Sequence, residues 1–344
     1  MMAEITMSAT EAAIHGFAPP HFPSLETVEQ TIPRLHALEA KTLVRDRWEQ
    51  LVTTIELPDL IEQVWQALTD PEALKLWLGV CHGSVQNLNC DWVLDFEDGE
   101  FFLGRSIAVV PHSRLQYLWR WLGVGQATTV TWQLEVTEQG TRVTVTEAAL
   151  NPPWDWQTWN GGGWNGILEQ LAAYLRTGLE WRWCWRRMGP YVQVELPVPV
   201  YSAWDQLFNP ASLKYWLLVM QGQIAPGQSL TILMGDASGS VSMAVEQVIQ
   251  PGQVLPSFLP SVSFSLTRPA WNCSIGGRFW LEPAGWGRSI FQVFHYGWEG
   301  LPAGLQLSER KILTRFWVDA MRRASSMLTP PDLPARSQMG PHNW

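Results

Sequence analysis

The sequence predicts an α+β fold built twice, each copy a curved antiparallel sheet wrapped around a long C-terminal helix. Three observations predict it. The 344-residue length exceeds one ordinary domain. An ungapped internal match at an offset of 139 pairs Glu56-Leu57-Pro58 with Glu195-Leu196-Pro197, Trp65 with Trp204, Pro71 with Pro210, Trp77 with Trp216 and Gly83 with Gly222. Each copy then runs strand, two short helices, a meander of five or six strands, and a long helix, an order whose two-layer solution is helix packed on sheet.

The elements follow from local pattern. LVTTIEL and YVQVEL alternate apolar and polar residues as a half-buried strand does. Ile61, Val64, Trp65 and Leu68 form one apolar helical stripe, with Asp59 and Glu62 placed as a capping box and Pro71 and Pro210 ending the first short helix of each copy. A second short turn carries Leu74, Trp77 and Leu78. DWVLDFEDGE, FFLGRSIAVV, RLQYLWRW, TTVTWQLEV and TRVTVTEAAL read as successive strands. Trp164, Ile167, Leu168, Leu171, Tyr174 and Leu175 make the long helix, which Gly178 stops. In the second copy, Ser308 is the candidate N-cap, and Ile312, Leu313, Phe316, Ala320 and Met327 form the buried face.

This pattern divides the chain into residues 1–46, an extension with one helix, and 47–180, the first domain. A linker rich in tryptophan and arginine (181–188), a divergent second domain (189–328) and a disordered tail (329–344) follow. Pro251, Pro256, Pro260 and Pro269 predict a longer loop and a shortened or bent sheet in the middle of the second copy.

Composition narrows the function. A net charge of -9 gives phosphates no bulk attraction, which argues against nucleic acid. No apolar run reaches the ~20 residues that span a bilayer, and the N-terminal residues lack the pattern of a secretory signal, so a cytoplasmic protein without membrane insertion is expected. The four cysteines match no zinc or redox spacing, and neither a metal nor a cofactor is expected.

The segments IEQVWQALTDPEALKLWLG, VVPHSRLQYLWRW, VTWQLEV, GTRVTVTE and GGGWNGILEQLAAYL together resemble the START-like, helix-grip (SRPBCC) superfamily. Their wording is closest to the branch related to activators of the heat-shock protein 90 ATPase. The resemblance covers Trp48 to Gly178 well and the second copy mainly in its first third. It implies a hydrophobic ligand held between sheet and terminal helix, cofactor-free cyclase-type chemistry in some members, and docking on proteins in others.

Twenty-two tryptophans are the compositional outlier. WDWQTWNGGGW joins the last strand of the first copy to its helix, and its glycines allow a hinge while Trp154, Trp156 and Trp159 roof a cavity, seal a core or meet a partner. A sugar platform finds too few polar neighbours there. Trp181, Trp183 and Trp185 alternate with arginines and read as a packed linker. The ligand-lining candidates are Trp77, Tyr117, Trp119, Trp121, Trp132, Glu147, Trp159, Trp164 and Leu168.

The sequence is thin in catalytic groups. Glu147 shares a strand face with Val143 and Val145, making it a candidate acid or base if that face lines an apolar pocket; the competing expectation puts it at the wet end of the strand or pairs it with an arginine such as Arg120 or Arg142. His295 is the corresponding possibility in the second copy. Two functions follow: binding of a hydrophobic or aromatic small molecule in the first domain, with or without cyclase-type chemistry, or a chaperone-like module that docks on a protein through exposed tryptophans.

Overall fold

The computed structural model describes residues 48–153, 156–180, 190–234, 239–251, 259–285, 287–297 and 300–328, apart from the side chains of 158–162. The expected N-terminal helix, the tryptophan-arginine linker and the tail lie outside these residues.

Seven strands form the first sheet: β1 Trp48–Leu57, β2 Val80–His82, β3 Asp91–Asp95, β4 Phe101–Val110, β5 Arg114–Trp121, β6 Ala127–Thr137 and β7 Gly140–Leu150. Their order is β1-β7-β6-β5-β4-β3-β2, antiparallel throughout. The second sheet repeats this with β8 Tyr191–Leu196, β9 Val219–Gln221, β10 Ser229–Leu233, β11 Ser240–Ile249, β12 Ser261–Thr267, β13 Ile275–Pro283 and β14 Ser289–Tyr296. Its order is β8-β14-β13-β12-β11-β10-β9. Both sheets shift register at the same place, between Ser106 and Ala108 and between Val245 and Gln247, and the second sheet shifts again between Thr231 and Ile232. An extra residue on one strand bends it and increases local twist, which helps the sheet curve around its helix.

Between the first two strands of each copy stand α1 Ile61–Thr69 and α2 Pro71–Trp77, or α4 Val200–Leu207 and α5 Pro210–Trp216. Leu60, not Asp59, precedes α1, and its backbone N–H donates to Gln63 Oε1 at 3.1 Å. The acidic capping box is thus replaced by a glutamine. Pro71 and Pro210 open the second helices, where a missing N–H costs nothing. Asp70 and Asn209 cap them by accepting from Glu72 N and Ser212 N, both at 3.0 Å. Trp77 Nε1 donates to Ala67 O at 2.9 Å, and Trp216 Nε1 to Leu207 O at 2.8 Å. In both copies the repeated indole therefore fastens the second short helix to the first.

The long helices are α3 Trp156–Thr177 and α6 Ala303–Leu328. α3 corrects the expected hinge: Gly161, Gly162 and Gly163 lie inside it. Three interior glycines disfavour a helix by about 3 kcal/mol relative to alanines. Burial of Trp156 and Trp164 on either side of them opposes that cost. Gly178, at φ 66°, ends the helix as expected. In α6, Ser308 is interior and donates to Leu305 O rather than capping.

β11 ends at Ile249 and β12 begins at Ser261, whereas β4 and β5 are separated only by residues 111–113. The proline-rich stretch thus makes the longer connection, and Pro260 sits just outside β12. Among the described residues no helix is long and apolar enough to cross a membrane.

Candidate functional site

The concave side of the first sheet is set by strand alternation. Tyr117 and Trp119 of β5, Thr128, Val130 and Trp132 of β6, and Val143, Val145 and Glu147 of β7 are all buried. α3 lays Trp164, Leu168 and Leu171 over them in one continuous core. Thr128 and Glu147 are the polar members of this set of strand residues besides the Tyr117 hydroxyl.

Glu147 is 1% exposed. Its Oε1 accepts from Thr128 Oγ1 at 2.6 Å and from Trp119 Nε1 at 3.0 Å, while Oε2 accepts from Trp164 Nε1 at 2.7 Å. The Trp119 indole also reaches Thr128 Oγ1 at 2.8 Å. An indole can only donate, so both carboxylate oxygens act as acceptors here. The geometry makes Glu147 a post that orients two indoles. Of the two expected arginine partners, Arg142 pairs instead with Glu56 at 2.6 Å on the other side of the sheet.

The indoles so fixed belong to an aromatic stack. Phe102 lies on Trp119 with centroids 3.8 Å apart and planes at 9°, and Trp119 lies on Trp164 at 5.4 Å and 21°. Trp132 meets Trp164 edge-on at 5.6 Å. Trp132 Nε1 donates to the Tyr117 hydroxyl at 2.9 Å, and Trp92 stands edge-on to the Tyr117 ring at 5.0 Å. Burial raises the Tyr117 pKa, the Trp132 hydrogen bond opposes that, and the nearby Glu147 charge adds to it, so the phenol keeps its proton. Burial likewise pushes the Cys81 thiol up to about 11, which leaves it unreactive.

The second sheet has the same frame with different contents. Leu57 pairs with Thr141 and Leu196 with Ser289, which sets β7 and β14 in common register and makes Glu147 and His295 equivalent. Across the strands, Tyr117 corresponds to Phe264, Trp119 to Leu266, Thr128 to Ile275, Val130 to Gly277 and Trp132 to Phe279. His295 is fully buried, and its Nε2 accepts from Trp317 Nε1 of α6. The proton therefore sits on Nδ1, which faces Gly276 O at 3.2 Å. Burial lowers its pKa to about 4, with the Gly276 carbonyl opposing the shift. Phe264 and His295 close over Gly277, where a Cβ would come within 2.5 Å of the phenylalanine ring.

Of the sequence candidates, Tyr117, Trp119, Trp132, Glu147, Trp164 and Leu168 come together in this interior. Trp77 belongs to the same continuous core, but its indole N–H is committed to the Ala67 carbonyl. Trp121 is only half-buried at the end of β5, against Phe102 at 4.8 Å. Trp156 is buried, and the side chains of Trp154 and Trp159 lie outside the described residues. Sequence reasoning missed Phe102, Thr128 and Trp317. Thr128 had a signal, since it is the polar residue on the face shared by Val130, Trp132 and Leu134. Among the described residues no group of acidic, histidine or cysteine side chains could hold a metal ion.

Residues 60–176 match the model of the family described as activator of Hsp90 ATPase homolog 1-like protein. A search of curated proteins found no relative. Among solved structures, DynU16, a protein of the dynemicin biosynthetic locus, aligns at TM-score 0.69 and 24% identity, covering 82% of this chain and 99% of its own. Protein MLL2253 from Mesorhizobium loti aligns at TM-score 0.34 and 23% identity over 38% of this chain and 98% of its own. CalU16 from Micromonospora echinospora aligns at TM-score 0.33 and 18% identity over 40% and 88%. The family match runs from α1 through α3 of the first domain, and the likeness to DynU16 extends over 82% of the chain, so the chain is a tandem of helix-grip folds whose first member carries the match to the activator of Hsp90 ATPase homolog 1-like family.

Proposed function

We propose that the first domain is a receptor for a ring-sized, largely apolar molecule bound between its sheet and α3. The observation that carries this reading is the difference between the copies at equal register. The second copy folds with Leu266 and Ile275 where the first has Trp119 and Thr128. The fold therefore does not require the indoles anchored on Glu147, and a flat aromatic surface of fixed orientation suits recognition of a planar ligand. The helix-grip fold shared with DynU16, a protein of a biosynthetic locus, is compatible with this reading.

Glu147 acts in this reading by holding the rings. Its oxygens already accept from three donors, which favours a binding role over proton transfer. Cyclase-type turnover would then rest on the shape of the bound substrate more than on a free base. The test is mass spectrometry of solvent extracts from purified protein, joined to equilibrium dialysis with fluorene. A retained ring-containing molecule, or fluorene binding that Trp164→Ala abolishes, supports the receptor. Neither retention nor binding would end it.

The docking alternative has one observation in its favour. Trp156, which it needs at the surface, is buried, but Trp48 on edge strand β1 is 70% exposed beside Val52 at 59%. A partner would meet that edge.

A further inference from the structure

The Tyr117 hydroxyl is a donor left over after the interior is assembled. It accepts the Trp132 indole proton at 2.9 Å, and among the described residues nothing accepts its own proton. The side chain is 5% exposed, so bulk water does not serve it. A buried donor without an acceptor is costly enough that native structures rarely keep one unpurposed. The second copy shows that this position does not need a phenol. Phe264 and Phe279 stand in register with Tyr117 and Trp132, packed at 4.7 Å, and that domain forms the same sheet. Tyrosine and tryptophan therefore add a directed O–H that the scaffold could omit.

Its placement gives the donor a target. Ser106, Tyr117, Val130 and Glu147 form one row across β4, β5, β6 and β7. Tyr117 and Glu147 are two strands apart, about 10 Å at the usual strand spacing; Val130 separates them in the row, and Trp164 of α3 packs beside it against Trp119 and Trp132 and donates to Glu147. In the second copy the matching position is Gly277, covered by Phe264 and His295, whose rings are 5.6 Å apart. Burial keeps the phenol protonated, as a donor must be.

We infer that the Tyr117 hydroxyl donates a hydrogen bond to an acceptor oxygen on the ligand, so that the first domain selects ring systems bearing a ketone or quinone carbonyl over the bare hydrocarbon. This rests on the receptor reading above.

The test compares 9-fluorenone with fluorene, which differ by carbonyl against methylene, in equilibrium dialysis with the full chain. The wild type is expected to bind fluorenone about five- to tenfold more tightly, the scale of one neutral hydrogen bond. Tyr117→Phe should erase that preference, bringing the affinity for fluorenone down to that for fluorene. Because this change also orphans the Trp132 N–H, the double variant Tyr117→Phe with Trp132→Phe, which reproduces the pair of the second copy, is measured alongside it. Binding of both probes without preference in the wild type, or a preference that survives in both variants, would overturn the donor assignment and leave the receptor standing. Failure of both probes to bind would overturn both.

Discussion

Glu147 of β7 and His295 of β14 stand at one register of one strand in two copies of a fold, and each accepts the indole proton of a tryptophan from the terminal helix, Trp164 or Trp317. The device is common to both copies, but the group that receives the proton is not. A carboxylate offers two oxygens and gathers three donors. A neutral imidazole offers one nitrogen and must give its own proton to Gly276. The acidic version therefore organises several aromatic rings, and the histidine version closes a core.

Replacing Glu147 should be felt through the donors it serves. In Glu147→Gln one oxygen becomes an NH2 group, so an indole or hydroxyl donor faces another donor in a buried site. A loss of about 1–3 kcal/mol is expected, the cost of a buried unsatisfied polar group. Urea unfolding of the variant against the wild type measures it. Equal stability would mean that the carboxylate does not hold the stack.

His295 makes stability depend on pH. Its folded-state value of about 4 lies below the ordinary 6.5, so between those values the unfolded chain binds the extra proton. Stability is then fully present above pH 6.5 and falls as the pH drops toward 4, by about 3 kcal/mol for this gap. His295→Leu should flatten that part of the curve relative to the wild type. Chemical unfolding at several pH values checks the slope, and an unchanged slope in the variant would refute the assignment.

Trp77 and Trp216 are expected to behave as scaffold. Trp77→Phe and Trp216→Phe each leave a buried carbonyl, Ala67 O or Leu207 O, without its indole donor. Each should destabilise by about 1–3 kcal/mol. Fluorene affinity of the folded Trp77→Phe protein should stay at the wild-type value, and a selective loss of affinity would return Trp77 to the ligand-lining set.

The strands of the first domain were legible because alternation survives wherever one face is wet; TRVTVTEAAL placed Glu147 on one face with Val143 and Val145, and left open whether that face was the inner one. What it would touch was not legible, since Thr128, Trp119 and Trp164 arrive from three other elements and only strand register brings them together. The correspondence with His295 was hidden for a related reason. Leu57 and Leu196 are 139 residues apart but Glu147 and His295 are 148 apart, because a longer connection intervenes in the second copy. The helical state of Gly161 to Gly163 contradicts local propensity and follows from burying Trp156 and Trp164 on either side. Trp317 escaped notice because the chosen stripe of α6 ran through Phe316.

Trp119 is the residue on which receptor and scaffold readings can be separated. It is 5% exposed, lies flat between Phe102 and Trp164, and gives its N–H to Thr128 and Glu147. Trp119→Ala removes both the flat face and the donor. It should lower stability by about 3–5 kcal/mol as a large-to-small core change, and fluorene affinity by about 1–3 kcal/mol, the scale of one large apolar contact. Trp119→Phe keeps a ring but loses the donor, so affinity should be largely retained while stability still falls. Trp121→Ala, at the half-buried strand end, should cost less on both counts. Thermal unfolding and equilibrium dialysis on the same preparations give the two axes. If Trp119→Ala remains folded and binds fluorene as the wild type does, the stacked indoles are core packing alone, and recognition has to lie at the exposed Trp48 edge instead.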